Sequence, residues 1–123
     1  MKKAVLLLVA ILAWPIGAQA ITGNELLAEC RSREPRSRGY CLGLIVGAAH
    51  AAGLVRMIAP QPIPGEPDFS TLGGCTPDGV TFGQTRDIVV RFLEQSPAKR
   101  HEDFGFLVLE ALQLAFPCRP GRR

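Results

Sequence analysis

The sequence has little that a catalyst or a metal ion could use. Its two histidines, His50 and His101, fall outside any ligand spacing, and its four cysteines form no CxxC pair of the kind that holds zinc. None of Ser32, Ser37, Ser70 and Ser96 sits in a GxSxG-like setting. The adjacent carboxylates Glu102 and Asp103 would not face one another on a helix, and they read as charge suited to a helix N-terminus. A concentrated basic surface is missing too. Arg31, Arg33, Arg36 and Arg38 are interrupted by Glu34 and carry no interleaved aromatics, so they read as a solvated loop and no nucleic-acid partner is expected. No segment reads as a strand. These absences argue against an enzyme, a metal site or a bound cofactor.

What is present begins with an export signal. Lys2 and Lys3 precede an uninterrupted apolar run from Ala4 to Trp14, and Ala18-Gln19-Ala20 follows as a small-x-small cleavage pattern. The run is shorter than the roughly 20 residues that a spanning helix needs. Cleavage after Ala20 leaves 103 residues, Ile21 to Arg123, enough for one domain. Losing the two lysines takes the formal charge from +3 to +1, so the basicity belongs largely to the signal. No second hydrophobic segment reads as long enough to hold the chain in a membrane, and no stable anchor is expected.

Residues 21–123 read as an all-α, disulfide-stapled domain of four helices. Thr22 and Glu25 form a capping box that starts a short first helix through Cys30. Pro35 and Gly39 read as breakers after it. The second helix is expected from Tyr40 or Cys41 to about Ile58, with Leu42, Ile45, Val46 and Ala49 on one face. Gly43 and Gly47, four apart, suggest close approach of another helix. Thr81 and Gln84 form a second capping box ahead of a third helix, whose apolar face is Thr85, Ile88, Val89, Phe92 and Leu93.

Ser96-Pro97 reads as the cap and first position of a fourth helix, expected over 97–116. Phe104, Leu107, Val108, Ala111, Leu112 and Ala115 form its main stripe. Phe106, Leu109 and Leu114 add apolar surface outside that stripe, which makes them candidates for a subunit interface. Between the second and third helices, residues 59–74 hold four prolines and no periodicity. A loop of this length in a small domain is usually functional or disordered, and its prolines limit the conformers it can sample.

The cysteines have an even count and all lie in the exported part. Three pairings are open, and helix geometry ranks them. Cys30 ends the first helix and Cys41 begins the second, while Cys75 precedes the third and Cys118 follows the fourth. Antiparallel packing brings each of these pairs together, so Cys30–Cys41 and Cys75–Cys118 are expected. Cys75 then staples the chain and is not a free nucleophile. His50, on a small-residue helix, reads as a packed core or interface histidine.

"CLGLIVGAAHA", "CTPDGVTFGQTRDIVVRFLEQSPAKRH" and "ALQLAFPC" together resemble the Rap/Tai family. The most specific parts are Cys75 to Gln84, the Pro97/Arg100/His101 segment and the terminal Phe116-Pro117-Cys118. The resemblance spans about Glu25 to Cys118 and implies an exported, helical immunity protein, commonly a homodimer. It further implies a partner: a peptidoglycan amidase delivered by type VI secretion and neutralised in the periplasm by occlusion of its cleft. A cleft blocker needs a protruding, preorganised element. The 59–74 loop fits, with Glu66, Asp68, Phe69 and Ser70 at its expected tip. A periplasmic helical binding or chaperone-like protein without a toxin partner is the alternative.

Overall fold

The structure is a computed structural model that describes residues 20–119, so apart from Ala20 the expected signal segment lies outside the described residues. Four packed helices make up the fold: α1 (Gly23–Arg31), α2 (Pro35–Ile58), α3 (Phe82–Gln95) and α4 (Phe104–Ala115). Two 3₁₀ turns, Phe69–Thr71 and Pro97–Lys99, lie between them. Among the described residues there is no strand, only an isolated bridge between Thr22 and Asp103. Leu26 and Leu27 of α1, Cys41 and Ile45 of α2, Val89 and Leu93 of α3, and Leu107, Val108, Ala111 and Leu112 of α4 form the core. Burial of a leucine or valine side chain contributes about 1.5–3 kcal/mol, so this one cluster ties all four helices together.

Both capping boxes form as the sequence indicates. Thr22 accepts from the Glu25 N–H while the Glu25 carboxylate accepts from the Thr22 N–H at 2.7 Å, and Thr81 and Gln84 repeat the arrangement. The Glu25 carboxyl is held below its ordinary pKa, first by the Thr22 N–H and then by the Thr22 hydroxyl.

The second helix starts earlier than expected. Pro35 does not break the chain; it occupies the first turn of α2, where its fixed φ suits the helix and its missing N–H leaves no bond unmade. Gly39 accordingly lies inside the helix. The inward stripe is Cys41, Ile45 and Ala52, because Cys41 must turn towards Cys30. That rotation carries Gly43 and Gly47 to the exposed side, where nothing lies within 4 Å of a Cβ built at either position. The close helix contact expected there is absent.

The extended α2 also alters the membrane reading. It is long and apolar enough, by length and composition, to cross a membrane, and most of it is not buried. Even so, α2 contributes Cys41, Ile45 and Ala52 to the packed interior and a disulfide to α1.

The fourth helix starts later than expected, at Phe104, and Pro97 opens a 3₁₀ turn instead. The reason is non-local. The Arg100 and Glu102 carbonyls accept from the Asn24 and Gly23 N–H groups at 2.9 and 3.0 Å, and the Ile21 carbonyl accepts from Phe104 N–H at 2.9 Å. Residues 100–102 thereby supply acceptors for the orphan N–H donors at the start of α1 and do not continue a helix of their own. Asp103 then caps α4 by accepting from the Gly105 N–H at 2.8 Å. Arg100 closes the end of α3, donating from Nε to Leu93 O at 2.6 Å and from Nη2 to Glu94 O at 2.9 Å.

Candidate functional site

The disulfides are Cys30–Cys41 and Cys75–Cys118, and no described cysteine is free. The second of them mounts the long loop. From Ala59 the chain leaves α2, and residues 60–70 are all exposed. A turn at Ile63–Glu66 is closed by Glu66 N–H donating to Ile63 O at 3.0 Å. The 3₁₀ turn follows, capped by Asp68, whose Oδ1 accepts from the Ser70 N–H at 2.8 Å. The Ser70 hydroxyl and then its N–H hold the Asp68 carboxyl below its ordinary pKa.

The foot of the loop is fastened differently. Arg56 Nη1 donates to the Leu72 and Gly74 carbonyls at 2.5 and 2.6 Å. Gln113 Nε2 donates to Thr71 O at 3.2 Å, and the Cys75 N–H donates to Phe116 O at 2.7 Å. Gly73 and Gly74 both have positive φ, 70° and 74°, a region that L side chains avoid. Both are buried, Gly73 against Ala52 and Leu109, and Gly74 against the backbone of Leu112, Gln113 and Phe116. A solvated tip thus stands on a fixed base made by the end of α2 and the end of α4.

Asp68, Phe69 and Ser70 are brought together by the 3₁₀ turn, while Glu66 belongs to the turn before it. Phe69 is 46% exposed, and Ile63, which no sequence motif singles out, is 61% exposed. Of the α4 positions, Phe106 and Leu114 face solvent, whereas Leu109 packs beside Gly73 under the loop foot. His50 is not a core residue: it is exposed, with its ring edge-on to Phe82 at a centroid separation of 6.0 Å. His101 is exposed as expected. No group of three or more histidine, cysteine, aspartate or glutamate side chains among the described residues could hold a metal ion.

Arg56 was missed at the sequence level, although a signal existed. It is the single charged residue between Arg38 and Glu66, and a lone charge at the end of an apolar helix usually has an assigned partner.

The arrangement is that of a small disulfide-bonded helical protein with a mounted, solvent-facing loop. A family model of Rap1a immunity proteins matches residues 22–118. The chain belongs to that family: it is an immunity protein against a secreted effector, binds that toxin, and is not an enzyme. No curated protein and no solved structure matches it. The two disulfides and the signal-like N-terminal segment point to export.

Proposed function

We propose that the protein loses residues 1–20 on export, acts in the periplasm as the single domain 21–123, and inhibits a peptidoglycan amidase delivered by type VI secretion. The 59–74 loop enters the amidase cleft. The observation that carries this reading is the contrast within the loop, exposed throughout 60–70 and tied down at Thr71–Cys75. A base held in place before binding lowers the ordering cost of association. Phe69 supplies an aromatic anchor of the type that dominates binding energy at interfaces, and Glu66 and Asp68 offer acceptors beside it.

Two copies pair through the outer side of α4. Phe106 and Leu114 are 73% and 68% exposed, and a two-fold contact needs one self-complementary patch. This leaves the loop of each copy available to an effector.

The oxidised, exported protein, used as bait against secreted proteins of type VI-bearing competitors and of its own cell, is expected to retain one peptidoglycan amidase in stoichiometric amount. Retention of an effector with different chemistry would replace the amidase while keeping the immunity role. Failure of a demonstrably folded bait to retain any secreted toxin would contradict the amidase reading.

A further inference from the structure

We infer that Arg56 is the positioning residue of the inhibitory loop, a role whose consequence for binding rests on the loop reading above. The geometry is specific. One nitrogen of a half-buried guanidinium accepts no proton and donates to two carbonyls, those of Leu72 and Gly74, which flank Gly73. The two carbonyls converge because Gly73 and Gly74 both adopt positive φ. Without a cation between them, two carbonyl dipoles would point at one another in a half-buried space. Charge-assisted hydrogen bonds of this type are roughly twice as strong as neutral ones.

The head group lies close to both segments that it joins. Gly53, one turn earlier on α2, is beside it: a Cβ there would stand 3.9 Å from Nη2, in ordinary contact. The Nη1 atom also lies 3.8 Å from a Cβ placed at Gly73, so guanidinium and loop backbone are in contact. Arg56 belongs to the last turn of α2, where a cation also complements the helix dipole. The same residue therefore ends the helix from which the loop departs and holds the backbone to which the loop returns. The span 57–71 is closed by it, independently of the disulfide at Cys75, which acts beyond Gly74.

Lysine is a point charge with three rotatable donors on a flexible stem, without the planar preorganised fork of arginine, so it should hold the two carbonyls less firmly. Methionine keeps the apolar stem and removes the donors. Hydrogen exchange on the oxidised free protein separates these roles. Arg56→Met is expected to speed exchange of the Leu72 and Gly74 amides at least about tenfold, with Arg56→Lys intermediate. Amides of the core residues Val89, Leu93, Leu107 and Val108 should keep their wild-type rates. Exchange at Leu72 and Gly74 within twofold of wild type in a folded Arg56→Met protein would overturn the inference. Lys and Met variants that both exchange at the wild-type rate would leave Arg56 a packing role only. The failure of the loop reading is distinguishable: a variant with a loosened loop that still inhibits fully would retain the clamp and remove the loop from the binding site.

Discussion

Replacing Cys75 and Cys118 together by alanine is expected to lower the free energy of unfolding by about 4 kcal/mol in the chain-entropy account of cross-links. The bond joins residues 43 apart in sequence, so its loss restores a large set of unfolded conformations. Cys75 is exposed and Cys118 is only half-buried, so little cavity cost is added and the measured loss reports chiefly on closure. The size matters because a domain of this kind has about 5–15 kcal/mol in total. The Cys30–Cys41 bond, with a separation of 11, closes a shorter loop worth roughly 3 kcal/mol. Urea unfolding of the oxidised wild type and the double variant gives the answer. A loss below about 1 kcal/mol would mean that the cross-link does not act through the unfolded chain as this account requires.

Gly74→Ala is expected to cost about 3–4 kcal/mol, combining a left-handed penalty of roughly 1–2 kcal/mol with overpacking of roughly 1–3 kcal/mol. A methyl group at this position would meet Leu112 O at 2.6 Å, Phe116 O at 2.7 Å and Gln113 Cα at 3.0 Å. All three are backbone atoms of the end of α4, and they cannot rotate aside as a side chain could. Displacing them also strains two bonds, Phe116 N–H to Leu112 O and Cys75 N–H to Phe116 O. Gly79 is the internal control, with φ of +86° and nothing within 4 Å of an added Cβ. Gly79→Ala should therefore show the conformational penalty alone, roughly 1–2 kcal/mol. Equal losses for the two variants in urea unfolding would contradict the close approach of the loop foot to α4.

The two capping boxes were legible in the sequence because each depends on local chemistry, and the disulfide pairs because helix order places their cysteines at matching ends. A threonine three residues before a glutamate or glutamine satisfies the first turn wherever it occurs, and cysteines at the ends of consecutive antiparallel helices have close partners. Pro35 was ambiguous, since the same residue stops one helix or begins the next. The start of α4 was hidden because Arg100 and Glu102 give their carbonyls to Gly23 and Asn24, nearly the whole domain away in sequence. The rotation of α2 about its axis depended on where Cys41 had to point, which left the Gly43 and Gly47 spacing facing solvent. The proline-rich span marked the loop, but not its mounting. That required knowing that Gly73 and Gly74 lie against Ala52 and Leu112 and that Arg56 donates to the Leu72 and Gly74 carbonyls.

The most direct test of the account is a titration of peptidoglycan hydrolysis by the captured amidase. Added oxidised protein should abolish hydrolysis at one equivalent per enzyme. A folded variant with residues 60–70 replaced by a short glycine-serine linker, and with Arg56 and Thr71–Cys75 kept, should bind at least about 100-fold more weakly, the loss expected when a central anchor is removed. Stoichiometric inhibition by that variant would contradict the claim that the loop closes the amidase cleft.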